Sequence, residues 1–389
     1  MCRNRDVKFN GESLFVTRCR GLLLAGIVTA GVLSFTAQAK ATCSTPANPI
    51  EAENCLAGTP PSTWAICGGG AGDSTTQGFA TDISVNAGQA ISFKIDTTAT
   101  AYELDIYRMG YYHGDGARWI TTIQPSARLP QNQPACLTDA YSGLVDCGNW
   151  AVSATWTVPS NAVSGIYFAR VVRADTAGAS DILFVVRNDA SKSNILFQTS
   201  DETWQAHNDY GGSRFYGQDP ANRTHKVSYN RPARTALAFF EDYPMVQFLE
   251  ANGYDVSYFA SVDAARSANL ITQHKAYISA GHDEYRSGAK QTNIEAARRA
   301  GVHVALFSGN DGTWKTRWEN SIDGTNTPYR TLALEAPVHT HRLPVPASKT
   351  EPFTDGSGYL AALTANWEKT KGSFGLGPPA KTCSPGDAK

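Results

Sequence analysis

The chain has 389 residues, a formal net charge of −1 and a charged-residue content of 18%. Its length exceeds that of one ordinary domain and predicts two, each long enough to bury its own core. Because the charge is nearly balanced, no overall field favours nucleic acid or anionic lipid, and we expect no nucleic-acid partner.

The amino-terminal segment has the features of a secretory signal. Arg18 and Arg20 precede an apolar run over residues 21–35, and small residues then follow in the pattern of a cleavage site. The apolar run is short for a membrane span. We therefore interpret residues 1–41 as a signal peptide that directs the chain to the periplasm or out of the cell. The alternative is that the segment remains as an anchor.

Export would place the remaining cysteines in a compartment that permits disulfides. Proximity along the chain predicts two of them, Cys43–Cys55 and Cys136–Cys147. Cys67 and Cys383 are left over, and their pairing with each other stays open. No Cys-x-x-Cys motif occurs, so a structural zinc site is not expected.

Short segments of alternating apolar and polar residues predict an all-β domain. Seven of them, separated by turn signals, lie between residues 83 and 187. This spacing predicts an Ig-like β-sandwich over residues 78–190, after an irregular, disulfide-stapled lead-in over residues 42–77. The loop at residues 108–116 is rich in aromatic residues and glycine. It suits either stacking on a sugar ring or packing between domains, and packing is the commoner role.

Strands and helices alternate in the second half of the chain. Apolar strand patterns and helical patterns are expected at residues 194–199, 243–253, 254–259, 263–270, 275–281 and 302–307. This alternation predicts a doubly wound, mainly parallel α/β sheet over residues 191–332. Residues 333–389 are rich in proline and have no period. We expect an irregular tail there, of the kind that a truncation or a frameshift would produce.

Polar side chains follow two neighbouring strands of this predicted sheet. His282, Asp283 and Glu284 come directly after the run that ends at Gly281, and Asn310 and Asp311 follow the next strand. Because ligands bind beyond the carboxyl ends of parallel strands, we expect these side chains to share one crevice. The alternative is a solvated turn whose acidic residues favour the amino terminus of the following helix.

The residue types point to metal chemistry. No Gly-x-Ser-x-Gly elbow, phosphate loop or His-Glu-x-x-His motif occurs, and no cysteine follows a strand of the second domain. Glu284 offers a carboxylate and His282 an imidazole, and phenols are offered by Tyr210, Tyr216 and Tyr285. Carboxylate plus phenolate suits ferric iron. His282 or Asp311 could move a proton, and Asn310 could donate to a developing oxyanion.

Several separated motifs resemble the N,N-dimethylformamidase large-subunit, carboxy-terminal domain family. They are TWQA at 203–206, YGG at 210–212, SYNRP at 228–232, GHDEY at 281–285, SGN at 308–310 and WKTR at 314–317. YRMGYY at 107–112 resembles the β-sandwich that precedes this domain in secreted members. The resemblance covers about residues 53–329.

The resemblance implies a glutamine-amidotransferase-like (flavodoxin-like) fold without its nucleophile. It also implies hydrolysis of a small N-substituted formamide at one iron ion held by two tyrosines and a glutamate. Glu284 matches that glutamate, with His282 and Asn310 as companions, and Tyr216 is a better match for a tyrosine than Tyr210. His207 stands where the family pattern has a tyrosine, and Asp311 where it has a glutamate.

These observations together predict a secreted, iron-dependent hydrolase of a C–N amide bond in a small molecule or an unknown substrate. A non-catalytic surface or carbohydrate-binding module that retains the fold is the alternative. Association with the cell surface or with polysaccharide is compatible with export. The sequence does not indicate an oligomeric state.

Overall fold

The computed structural model describes residues 3–9, 12–18, 43–66, 72–212, 214–216, 223–233 and 241–335. The chain divides into two units, residues 1–39 and 40–389. In the first unit, strands β1 (Arg3–Phe9) and β2 (Glu12–Arg18) pair antiparallel. The apolar run of the predicted signal peptide lies outside the described residues. In the described part of the chain, no helix is long and apolar enough to cross a membrane.

The lead-in is more regular than expected, since it contains two short helices. Helix α1 (Pro49–Asn54) begins with proline at its first position, and the Asn48 side chain accepts from the amides of the first turn. Helix α2 (Pro61–Trp64) follows. The disulfides Cys43–Cys55 and Cys136–Cys147 are both present, which confirms the two predicted pairings. Cys67 and Cys383 lie outside the described residues.

Residues 76–187 form antiparallel sheets. The strands are β3 (Thr76–Ala80), β4 (Ser84–Asn86), β5 (Ala90–Thr97), β6 (Tyr102–Met109), β7 (Ala117–Ile123), β8 (Leu137–Asp139), β9 (Leu144–Asp146), β10 (Ala154–Thr157), β11 (Gly165–Arg173) and β12 (Ala179–Arg187). One sheet has the order β10-β5-β3 and the other β4-β12-β11-β6-β7, in which only β4 pairs in parallel. Alternate residues of β5, such as Phe93 and Ile95, are buried in a core that both sheets share. The short β8–β9 hairpin was not predicted.

The second half of the chain contains a four-stranded sheet whose strands are all parallel. In chain order, the elements of this half are β13 (Ile195–Gln198), α3 (Asp201–His207), β14 (Lys226–Ser228), α4 (Tyr243–Ala251), β15 (Val256–Phe259), α5 (Ser261–Arg266), α6 (Ala268–Ile271), β16 (Ala276–Gly281), β17 (Tyr285–Ser287), α7 (Gly288–Arg299), β18 (His303–Ser308), β19 (Trp314–Glu319) and β20 (Thr331–Leu334). The order β15-β13-β16-β18 confirms the parallel sheet that the alternation predicted. Single 3₁₀ turns occur at Tyr112–Gly114 and Tyr210–Gly212.

The same half of the chain contains a second, mixed sheet of order β14-β20-β19-β17. Sequence reasoning did not predict most of this sheet. Strand β20 extends through residues 333 and 334, so the first two residues of the predicted irregular tail are part of this sheet. These strands are only three to six residues long, and most of them are rich in polar residues, as in the Trp314–Glu319 segment. These strands pair with segments far away in the chain, and the periodicity of a local segment does not predict which distant strand it pairs with.

The two predicted domains share one apolar core, with Tyr107 and Phe168 in the same cluster as Phe197. At this junction the Arg108 guanidinium bonds Glu250 at 2.7 Å, and both side chains are fully buried. Tyr112 is buried as well. The aromatic loop at residues 108–116 therefore packs between the two halves, which confirms the packing interpretation over sugar stacking.

Candidate functional site

The exit of strand β16 sends three consecutive side chains toward three different neighbours. Gly281 has φ +72°, a left-handed conformation that redirects the chain where the parallel strand ends. His282 then contacts Glu241 on the segment that leads into α4. Asp283 enters the interior, and Glu284 approaches His207 at the end of α3.

Glu284 is the centre of a cluster that we call the Glu284 cluster: Glu284, His207, Tyr216 and Trp314. The Glu284 Oε2 atom is 3.4 Å from His207 Nε2, and Trp314 Nε1–H donates to Oε1 at 3.1 Å. The Tyr216 ring stacks on the His207 imidazole with centroids 5.2 Å apart. Glu284 is buried, whereas Tyr216 is 54% exposed, so the cluster opens to solvent on the tyrosine side.

Hydrogen bonds fix the Glu284 backbone against helix α3. Thr203 Oγ1 accepts from the Glu284 amide at 3.2 Å and donates to the His282 carbonyl. The Glu284 carbonyl accepts from the Trp314 amide at 3.0 Å. Because α3 also contributes His207, the same helix positions both the backbone and the side-chain partner of Glu284.

His282 forms a carboxylate–imidazole pair that sequence reasoning missed. Its Nδ1 is 2.8 Å from Glu241 Oε2, and its side chain is 43% exposed. A Cβ atom on Gly309 would lie 2.9 Å from His282 Nε2, so the ring packs against the exit of the next strand. Asn310 follows there with φ +51°. Glu241 stands 41 residues earlier in the chain, outside any motif, and no sequence signal pointed to it.

Asp311 joins a buried ion-pair network instead of the Glu284 cluster. Its Oδ1 is 2.5 Å from Arg286 Nη2, and the same nitrogen is 3.3 Å from Asp283 Oδ2. Lys290 Nζ completes the network at 2.6 Å from Asp283 Oδ1. Burial raises the pKa of Asp311 to about 6, against the opposing effect of Arg286. A role for Asp311 in proton transfer stays a prediction.

Tyr210 lies against a different part of the molecule. It packs on the apolar cluster that contains Phe79, Val145 and Trp150, and its carbonyl accepts from Arg231 at 3.0 Å. Tyr216, by contrast, belongs to the Glu284 cluster. Of the two predicted phenol ligands, the structure therefore brings one into contact with the cluster around the predicted carboxylate.

Tyr285, the third phenol considered, is buried beneath the cluster, 6.3 Å from the His207 ring centroid. Burial, followed by the charge of Glu284, raises the pKa of Tyr285 far above its ordinary value. The Tyr285 phenol therefore stays neutral, and its ring packs against His207 on the buried side of the cluster.

The donor chemistry of the Glu284 cluster fits an iron ion. In the described ranges, no group of three or more His, Cys, Asp or Glu side chains could hold a metal. The cluster instead combines one carboxylate, one imidazole and one phenol, and all three types ligate iron in proteins. The Trp314 N–H bond orients the carboxylate, as outer partners of metal ligands do.

Glu202 gives the buried network a pH dependence. Burial raises the pKa of Glu202 to about 7; Lys290 opposes this, while Asp283 and Asp201 add to it. The folded protein thus keeps a proton that the unfolded chain releases above the ordinary value of 4.5, so stability falls as pH rises toward 7. We expect Glu202→Gln to remove on the order of 2 kcal/mol of this decline between pH 5 and 8, measured by urea unfolding. The control Glu295→Gln, at a partly exposed position of helix α7 where Glu295 pairs with Arg299, should keep the wild-type slope. An unchanged slope in Glu202→Gln would contradict the assignment.

The fold and the cluster define a class: antiparallel sheets followed by a parallel α/β sheet with carboxylate, imidazole and phenol groups at one strand exit. The family described as N,N-dimethylformamidase beta subunit-like, C-terminal, matches residues 103–362, more than half of the 389 residues. The chain belongs to this family, which confirms the resemblance. The match extends beyond residue 329, where the motif-based resemblance stopped.

Other comparisons add little. No curated protein matches the chain. An AA10 lytic polysaccharide monooxygenase from Streptomyces lividans is 16% identical, with 26% of this chain and 56% of that chain covered and a TM-score of 0.16. A Faecalibacterium prausnitzii beta-glucuronidase is 11% identical, with 58% and 27% covered and a TM-score of 0.18. The chain spans less than two thirds of either protein, and these TM-scores carry no argument about function.

Proposed function

We propose that this protein is an exported hydrolase that cleaves the C–N bond of a linear amide, with iron held by Glu284, His207 and Tyr216. The contact of Glu284 Oε2 with His207 Nε2, beneath the stacked Tyr216 ring, is the observation that carries the proposal. His207 takes the place that sequence reasoning assigned to Tyr210. The two disulfides support the exported location.

Membership of the family supports hydrolase chemistry, and the fold supplies the setting. In order of occurrence, the four parallel strands run second, first, third, fourth, and this order supports a flavodoxin-like fold, whose sheet begins in the same way. In such sheets the ligand site lies outside the carboxyl ends of the strands, where Gly281 and Ser308 end β16 and β18. This placement supports an active site between the two strand exits.

Each residue of the proposed site has a separate role in the reaction. Iron held in the cluster would act as a Lewis acid toward the amide carbonyl and toward water. His282 would take a proton at Nε2, because its Nδ1 faces the Glu241 carboxylate. Asn310, at the neighbouring strand exit, would donate to the carbonyl oxygen as negative charge develops there. The substrate class is a small amide.

Iron content tests this proposal directly. We expect purified wild-type protein, reconstituted with ferrous iron and oxidised in air, to hold close to one iron per chain and to show a phenolate-to-iron absorption band. Glu284→Gln should lose the iron, because the buried carboxylate is the central donor. Tyr216→Phe should lose the band while it retains some iron.

The controls separate ligand loss from unfolding. Glu103→Gln, an exposed residue near the start of β6, and Tyr210→Phe should leave iron content and the band unchanged. Circular dichroism should show that each variant is folded. Wild-type protein without iron, or Glu284→Gln that binds as much iron as wild type, would refute the metal site. Such a result would favour the non-catalytic surface module.

A further inference from the structure

A second candidate site lies in a cavity between the antiparallel sheets and the parallel sheet, outside the Glu284 cluster. Strands β3 and β12 contribute Phe79 and Leu183 to its wall, and helix α3 contributes Trp204. Two arginines, Arg231 and Arg330, also line it. Both side chains are 99% buried, an unusual setting for a guanidinium.

Arg330 reaches this cavity with part of its guanidinium unsatisfied. Its Nε donates to Asn230 Oδ1 at 2.7 Å, and its Nη2 donates to the carbonyls of Ala80 and Tyr229 at 3.1 and 3.2 Å. Its Nη1 has no hydrogen-bond partner among the described residues. Buried donors are normally satisfied, so an unpaired N–H on a cavity wall points to a ligand that accepts from it.

The nearest carboxylate does not fill this role. Asp82 Oδ1 is 3.8 Å from Arg330 Nη1, too far for a hydrogen bond, and is closer to Arg266, at 3.2 Å. Arg231 directs its donors to backbone carbonyls, those of Ser228, Gln205, Asn208 and Tyr210. Burial lowers the pKa of both Arg231 and Arg330, against the favourable charges of nearby aspartates. Among the described residues that line the cavity, two arginines face one carboxylate, that of Asp82, so positive charge exceeds negative charge at its wall.

We propose that this cavity binds a short-chain carboxylate, whose oxygens accept from Arg330 Nη1 and whose carbon atoms contact Trp204 and the apolar wall. The Nη1 donor belongs to a charged guanidinium, and its hydrogen bond to an anionic carboxylate is stronger than a bond to a neutral acceptor. The apolar walls favour an anion with a hydrocarbon part over strongly hydrated sulfate or phosphate.

The size of the cavity limits the ligand. About 40 Å³ is open to the centre of a water molecule, and one water needs roughly 10–15 Å³ on this measure, so about three waters fit. A carboxylate with two or three carbon atoms has that size. The ligand would sit behind α3, the helix that also holds His207, but the proposal does not depend on the hydrolase function.

Titration of the full chain with sodium acetate, followed by calorimetry or by saturation-transfer NMR at constant ionic strength, tests the proposal. We expect saturable binding of one acetate per chain and competition by propionate. Arg330→Gln should weaken acetate binding by about tenfold or more, because it removes the charged donor. The matched control Arg317→Gln removes an exposed arginine that pairs with Glu319, and it should bind acetate like wild type.

A second variant covers the case in which Arg330→Gln does not fold. Ala233→Leu enlarges a half-buried side chain on the cavity wall, and it should also abolish acetate binding. No saturable binding to wild type, or binding that Ala233→Leu leaves intact, would overturn the site. Sulfate or phosphate that competes as well as propionate would overturn the assignment to a carboxylate.

Discussion

Replacing Lys290 with methionine is expected to lower the free energy of unfolding by about 3–5 kcal/mol. Lys290 Nζ is 2.6 Å from Asp283 Oδ1 and 3.8 Å from Glu202 Oε1, and all three side chains are fully buried. It also donates to Ser261 Oγ at 2.6 Å. Methionine fills a similar volume without the charge, so the loss measures the removal of a buried cation from Asp283, which keeps Arg286, and from Glu202. Urea unfolding at pH 7 gives the value.

A matched control and a rescue make this prediction specific. Lys315→Met removes a lysine that is 42% exposed and pairs with Glu335, and it should cost no more than about 1 kcal/mol. Adding Asp283→Asn to Lys290→Met should restore part of the stability, because it removes the buried negative charge that Lys290 had neutralised. A Lys290→Met protein within 1 kcal/mol of wild type would contradict the network's role.

The same variant connects the network to the functional site. Asp283 lies between His282 and Glu284, and Lys290 and Arg286 hold it in the interior. When Asp283 is free to move, the side chains on either side of it lose their directions. We therefore expect Lys290→Met to bind iron more weakly than Lys315→Met under conditions in which both are folded.

Gly281→Ala is expected to destabilise the protein by at least about 2 kcal/mol, because two effects add. Gly281 has φ +72°, and a side chain in this left-handed region costs about 1–2 kcal/mol. An added Cβ would also lie 2.6 Å from the carbonyl oxygen of Glu241, and backbone cannot rotate away as a side chain can. Thermal and urea unfolding measure the total.

Gly288→Ala provides the contrast at a glycine seven positions later. Gly288 is the first residue of helix α7, its φ is not in the left-handed region, and an added Cβ would meet nothing within 4 Å. Alanine there should be neutral or stabilise by up to about 1 kcal/mol. Equal losses in the two variants would show that the conformation of Gly281 is not the cause.

Gly281→Ala should also alter the candidate site. The added Cβ would displace the backbone of Glu241, whose carboxylate faces His282 Nδ1. We therefore expect NMR signals of the His282 ring to shift in this variant and to stay unchanged in Gly288→Ala. A shift of the His282 signals in Gly281→Ala alone would show that the His282–Glu241 pair has moved, which a general loss of stability would not produce.

Much of the fold follows from local sequence pattern. The two disulfides join cysteines 11 and 12 residues apart, and short separation was sufficient to pair them. The parallel strands are mainly apolar, and Ile195–Gln198 is buried along its whole length, as expected of a strand covered on both faces of the sheet. The mixed sheet escaped prediction because strands such as Tyr285–Ser287 are short and find their partners through long-range pairing.

The candidate site was predictable in part. The exit at residues 281–284 is a local feature, since a glycine ends an apolar strand and polar residues follow, and the sequence by itself determined that polar groups gather there. Only the tertiary structure decided which partner each takes. The conformation of Gly281 and the packing of α3 send Glu284 to His207, 77 residues away, His282 to Glu241, and Asp311 to Arg286. Side-chain direction at a strand exit depends on such backbone turns and on elements distant in the chain, and neither is encoded in local periodicity.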